Sequence, residues 1–213
     1  MIENMMTDRD APAVSDLRQL RRDRKTAEIV AAAWELSRRD GLAGLSLRVL
    51  ADRVELRQPS LYAYFESKLD LYDAMFADGN RQLLEAMRRR TALSDPREEL
   101  IAFTEACVQF SSDDVVRHQL LFQRTIPGFE PSEASFAVAL EFYTYGMQRL
   151  RAAGVTKQGD VDIYTALVSG LGHQQIANDP GGDRFAHLLP RAVDMWADGV
   201  GLPRSTTPEK DPA

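Results

Sequence analysis

Residues 41–71 read GLAGLSLRVLADRVELRQPSLYAYFESKLDL, and the spacing within this stretch decides the fold. Ser46 stands just before the apolar series Leu47, Leu50, Ala51 and Val54. It is expected to cap a short helix by accepting a backbone N–H with its hydroxyl. A second short helix is expected from Gln58, because Pro59 suits a first-turn position, where its missing N–H leaves no bond unmade. Val54-Glu55-Leu56 would form the tight turn between them. Ala51 is small where two helices must approach closely, and Leu50, Val54, Leu56 and Leu61 would pin the second helix across the first. This is the physical specification of a helix-turn-helix, whose second helix lies in the major groove with its N-terminal residues toward base edges. On pattern alone, other helical hairpins meet the same specification.

Working outward, nearly every segment reads as helix. Ala27, Val30, Ala31, Trp34 and Leu36 fall at roughly helical spacing, with Gly41 as the expected stop. Ser67 is expected to cap a long helix from Lys68 to about Arg90. Asp95-Pro96 opens another through Phe103, Cys107 and Phe110. Further helices are expected over Asp113–Thr125, Ser132–Ala153, Gly159–Asn178 and Asp183–Gly199, divided by Pro127-Gly128, Gly154 and Asp179-Pro180-Gly181-Gly182. No stretch alternates with period two long enough to make a strand, so the class is all-α. Residues 1–16 and 203–213 lack periodicity and read as disordered tails.

Composition narrows the function. A hydrophobic share of 44% and a charged share of 27% are ordinary for a globular chain. No apolar run approaches the ~20 residues that span a bilayer. The polar, acidic start does not resemble a secretion signal, and the single cysteine, Cys107, excludes an internal disulfide; the expected location is the cytoplasm. Net charge is −6, but residues 17–72 hold 11 Lys+Arg against 8 Asp+Glu, while the rest holds 15 against 24. A basic end on an acidic body suits phosphate contact at one end, although an unevenly charged surface has the same balance. No nucleophile–base pair, paired-carboxylate site or phosphate-cradling glycine loop appears with catalytic spacing. His118, His173 and His187 lack the spacing of metal ligands, so neither enzyme activity nor a metal is expected.

The run Leu61-Tyr62-Ala63-Tyr64-Phe65-Glu66-Ser67-Lys68 with Leu71, preceded by Gly41, Leu45-Ser46 and Leu50-Ala51, resembles the signature of the TetR family of bacterial transcriptional regulators. The likeness covers about residues 22–76, and Glu55–Tyr62 are close to the same segment of the tetracycline repressors. One departure is Glu55, where the family usually has Gly in a turn that often needs positive φ. Another is Arg57, which puts a cation in place of a neutral cap. The resemblance implies a three-helix DNA-binding domain over residues 17–72. It also implies a larger helical domain over 73–202 that binds a small-molecule effector and forms a homodimer on palindromic double-stranded DNA. Repression released by the effector is the leading expectation. The alternatives are a ligand-independent or nucleoid-type DNA binder and, last, a helical enzyme.

Roles follow for single residues. Arg48 matches the family position that reaches a guanine, where an arginine can engage O6 and N7 together, and Gln58 could pair with adenine N6 and N7. Pro59 and Ser60 present small surfaces at the same helix start. The resemblance assigns Tyr62 and Tyr64 to phosphates. Lys68 and Ser46 sit at helix starts, where backbone amides favour phosphate, and Lys68 adds an ammonium charge. Arg18, Arg21, Arg22, Arg24 and Lys25 form a basic approach along the first helix; each of these residues has a plain solvated or packing role as its alternative. Phe103, Phe110, Phe122, Phe142, Tyr143 and His173 are the expected pocket residues. Gly170 and Gly172 weaken a helix interior unless a second helix approaches closely. The dimer contact is therefore expected on the last two helices, through Leu167, Gly170, Leu171, Gln174, Leu188, Ala192 and Trp196.

Overall fold

The computed structural model describes the backbone of residues 14–204 and the side chains of 16–204, and among these residues the secondary structure is entirely helical. The elements are α1 (Val14–Gly44), α2 (Leu47–Arg53), α3 (Gln58–Leu61), α4 (Lys68–Arg88), α5 (Pro96–Ser112), α6 (Val115–Phe122), α7 (Glu133–Ala152), α8 (Gln158–Asn178) and α9 (Leu189–Gly199). The expected tails lie almost wholly outside the described residues, except that α1 already begins at Val14.

Side-chain caps start most of these helices. Ser46 accepts from Val49 N, Asp95 from Arg97 N and Glu98 N, Asp114 from Arg117 N, and Ser132 from Ser135 N. At α4, Ser67 accepts from Asp70 N while the Asp70 carboxylate accepts from Ser67 N, a reciprocal capping box. Gly41 breaks α1 as expected: its φ of 75° and ψ of 163° turn the last few residues out of line. The expected helix over Asp183–Gly199 is instead a 3-10 turn, Ala186–Leu188, followed by α9. Pro190 lacks an N–H and cannot sit in a helix interior, so the regular helix can only begin beside it.

Two packing facts position everything else. First, α4 belongs to both halves: Leu71, Tyr72, Met75 and Phe76 enter the N-terminal core with Trp34, Leu50 and Leu61, while Leu83 and Met87 pack with Phe103 on α5. The expected boundary at residue 72 thus falls inside one continuous helix. Second, the N-terminal core does not close on itself. It includes Leu120 of α6, with Val116, Leu121 and Ile126 against its edge. Gly79 permits this, because a Cβ there would meet Leu121 at 3.1 Å and Trp34 at 3.3 Å. A separate core holds Leu100, Tyr164, Val193 and Trp196 and joins α5, α8 and α9. On α1 the buried residues are Ile29, Val30, Ala32, Ala33, Trp34, Leu36, Ser37 and Leu42. Ala27 and Ala31, expected inside, face out.

Candidate DNA interface and ligand cavity

The turn between α2 and α3 is closed by two backbone bonds, Leu56 N to Ala51 O at 2.8 Å and Glu55 N to Asp52 O at 3.3 Å. Together they make a Schellman motif with Glu55 at the left-handed position, φ 56°. The usual geometry is therefore kept without the usual glycine. The same pair of bonds ends α7 at Gly154 and α9 at Gly201, both glycine at positive φ.

Ser46, Arg48, Arg57, Gln58, Pro59, Ser60 and Tyr62 are each exposed. Arg57 takes the N-cap place of α3 and Pro59 its first turn, with no side-chain cap bond. Ser46 Oγ is occupied by Val49 N, 3.5 Å away, so only its remaining capacity faces out. Tyr64 is half-buried, with the Arg22 guanidinium over its ring at 5.3 Å. Lys68 donates from Nζ to Ala43 O at 3.1 Å and lies over the Tyr72 ring, and partial burial lowers its pKa. Two of its three N–H groups remain for a phosphate.

The basic approach on α1 divides into two groups. Arg22 donates to Ala63 O at 2.8 Å and Lys25 to Val54 O at 2.7 Å. These two brace the ends of α3 and α2 from behind, a structural duty that composition alone does not reveal. Arg18, Arg21 and Arg24 are exposed. Behind the surface, the Tyr72 hydroxyl donates to Leu42 O, and burial pushes its pKa up to about 12.

The second site is a cavity of about 690 Å³ among α4, α5, α6, α7 and α8. Phe103, Phe122, Phe142, Tyr143 and His173 line it, and so do Phe76 and Phe136. Phe110 does not. It packs against the cluster of Leu83, Met87 and Phe103 instead, and the Arg117 guanidinium stacks on its ring at 3.6 Å. The polar lining includes Asn80, Thr104, His118, Gln123, Tyr164 and Ser169, which apolar periodicity could not single out. Thr104 and Tyr164 satisfy each other across 2.5 Å, and Asn80 donates to Phe76 O. Gln123 Nε2 donates to His173 Nδ1 at 3.1 Å, which places the proton of a neutral His173 on Nε2. His118 is buried and its Nδ1 has no hydrogen-bond partner; burial first, then nearby His173, lowers its pKa. Burial also pushes the Cys107 thiol up to about 12, so it stays protonated. Among the described residues no group of three or more His, Cys, Asp or Glu is placed to hold a metal ion. None of the described helices is long and apolar enough to cross a membrane.

The last two helices each carry exposed apolar side chains. Ile163 is 60% exposed on α8 and Met195 65% exposed on α9. Gly170 and Gln174 are exposed beside them, with Leu167, Leu171, Leu188 and Ala192 half-buried. Trp196 departs from expectation: it is 7% exposed, packs on Tyr164, and donates from its indole to Asp160 O at 3.0 Å. Gly172 also serves a contact within the chain, because a Cβ there would meet Val108 at 3.4 Å. Gly170 faces open space.

A helix-turn-helix joined through a shared helix to a hollow helical body defines a class, the helical DNA-binding regulators. Residues 29–75 match the bacterial regulatory proteins of the tetR family. The chain is 30% identical over 163 residues to the HTH-type transcriptional activator FasR of Mycolicibacterium smegmatis, covering 76% of this chain and 72% of that one. A tetR-family transcriptional regulator from Streptomyces coelicolor shares the fold with a TM-score of 0.66 at 16% identity, over 83% of this chain and 80% of that one. A TetR variant from Acinetobacter baumannii AYE, solved in complex with minocycline, does so with a TM-score of 0.56 at 20% identity, over 88% and 99%. The chain belongs to the TetR family and is a helix-turn-helix, DNA-binding transcriptional regulator.

Proposed function

We propose that this regulator is a cytoplasmic homodimer that occupies a palindromic operator as a repressor and leaves it when a small-molecule effector fills the cavity. The observation that carries the switch is the double attachment of α6. His118 and Phe122 form cavity wall, while Leu120 of the same helix lies in the core of the DNA-binding domain. The N-cap of α6, Asp114, also accepts from Arg38 of α1 at 2.8 Å. A ligand that displaces α6 therefore displaces α1 and with it the recognition helix. The needed coupling is modest, since ~1–3 kcal/mol changes affinity ~5–150-fold.

Pairing follows from the size of α3, a single turn that reads only a few base pairs. Two copies held ~34–36 Å apart meet successive major grooves on one face of the duplex. The strip of Ile163, Leu167, Gly170 and Gln174 on α8, with Leu188, Ala192 and Met195 on α9, supports a four-helix contact across a two-fold axis. Arg48 and Gln58 read bases, while Ser46, Tyr62, Tyr64 and Lys68 hold phosphates, with Arg57, Pro59 and Ser60 at the groove edge. The solved minocycline complex of a relative supports an effector in place of any cofactor, and no catalytic role is assigned.

Selection of random duplex DNA on the purified protein tests this, with a palindromic consensus as the expected product. Absence of enrichment at low salt would remove operator recognition. Activation is the second reading, favoured by the name of FasR. Transcription in vitro from a promoter carrying the selected site decides the sign: repression expects less transcript with protein alone, activation more.

A further inference from the structure

The walls of the cavity specify the chemistry of its occupant. Among the lining residues there is no Lys, Arg, Asp or Glu, so a charged ligand would find no counter-ion. Phe103 and Phe142 stack at 6.5 Å between centroids, and Phe122, Phe136, Leu140 and Tyr143 stand 46–50% exposed at the mouth. Flat or extended hydrocarbon would cover these faces. Against this background one polar group stands out. His118 is 9% exposed, lines the cavity and leaves Nδ1 without a partner. Nearly all buried polar atoms are paired in folded proteins, so an unpaired ring nitrogen on a side chain that lines a cavity points to a group supplied from outside. Of the other polar wall groups, Tyr164 is bonded to Thr104 and Asn80 to Phe76 O, whereas His173, Ser169 and Tyr143 are exposed, where water can serve them.

We propose that the effector is an uncharged, largely apolar molecule whose single hydrogen-bonding group, such as a hydroxyl, carbonyl or amide, engages His118. The cavity volume is that of sites that enclose drug-sized ligands. The proposal deepens the effector-released reading and rests on it for its biological sense, but binding is measured on the full chain without DNA. Loss of operator recognition and loss of this ligand preference are thus separate results.

The probe is N-phenyl-1-naphthylamine, a neutral fluorophore that brightens in apolar surroundings, titrated to saturation and then displaced. Four naphthalenes serve as competitors: 1-naphthol, naphthalene, 1-naphthoate and 1-naphthylmethylammonium. The expected result is saturable binding of one fluorophore per chain, with 1-naphthol displacing it at concentrations about tenfold below either ion. The His118→Phe variant is expected to keep naphthalene displacement and to lose the roughly 2- to 10-fold advantage of 1-naphthol over naphthalene. Should that variant unfold, His118→Gln, which retains a hydrogen-bonding group, is expected to preserve part of the advantage. No saturable fluorophore binding, as when side chains of a second copy fill the mouth, overturns the proposal. So does displacement by 1-naphthoate at or below the 1-naphthol concentration, or an unchanged 1-naphthol preference in folded His118→Phe.

Discussion

Glu55 holds a left-handed backbone conformation in which its Cβ crowds the adjacent carbonyl, and the two glycine-ended Schellman motifs in the same chain show the unstrained alternative. Glu55→Gly is expected to raise unfolding stability by about 1 kcal/mol, read from denaturant midpoints at constant slope. A fall in stability would mean that the Glu55 side chain contributes more than its backbone costs. Arg48 and Lys68 separate base reading from backbone holding. Arg48→Ala should relax preference at one base pair by ~1–3 kcal/mol in a competition of single-substituted operators. Lys68→Ala should weaken all sequences alike and lower the salt-dependence slope by about 1. Uniform loss for Arg48→Ala would move it to the phosphate group. An unchanged slope for Lys68→Ala would confine that residue to its bond with Ala43 O.

At the scale of elements, α4 carries the DNA-binding domain on a helix whose first turn is fixed by the Ser67–Asp70 box. Ser67→Ala is expected to cost about 1 kcal/mol, with amide exchange rising first in residues 67–71. Exchange spread evenly over the chain would mean that the box contributes nothing local. Such caps are the features most legible in the sequence, because a cap is a local bargain between one side chain and the next few amides. Ser46, Ser67 and Asp95 are each readable for that reason, as is Gly41. Partners distant in sequence are not. Arg22 and Lys25 look like free cations because nothing in their own neighbourhood shows the carbonyls of Ala63 and Val54 waiting for them. Phe110 and Trp196 show the same limit: helical spacing says that an aromatic is inside, but not whether the inside is a cavity wall, a core or an interface. His118 reads in the sequence as one more scattered histidine, since its isolation becomes informative only when no neighbour is found to bond it.

For the whole molecule, the outward strip on α8 and α9 predicts association. Ile163→Asp combined with Met195→Asp should shift the sedimentation coefficient from dimer to monomer and abolish tight operator binding while leaving helicity intact. A dimer surviving both changes would move the contact elsewhere. A further whole-molecule effect concerns acid. Asp198 ties α9 to Arg204 and to Arg97 of α5, and these partners, Arg204 first, hold its pKa down to about 2 from 3.8. A carboxylate with a lowered folded-state pKa stabilises above its ordinary value and ceases to do so as pH falls through the lowered one. Between about pH 4 and 2 the Tm of the parent protein should therefore fall more than that of Asp198→Asn; equal falls would leave the pairing without consequence.

Helix α8 divides its faces among several duties. Thr165, Ser169, Gly172 and His173 face the cavity, Val161 and Tyr164 enter the core, and Ile163, Gly170 and Gln174 look toward the proposed partner. Adjacent positions thus serve different masters, and a change that widens the cavity would tilt the face on which the proposed second copy rests. In a lineage of such regulators, taste for a new effector and loyalty to an old partner would be inherited together. Duplicated copies that drift toward different ligands would, by the same drift, stop mixing their subunits.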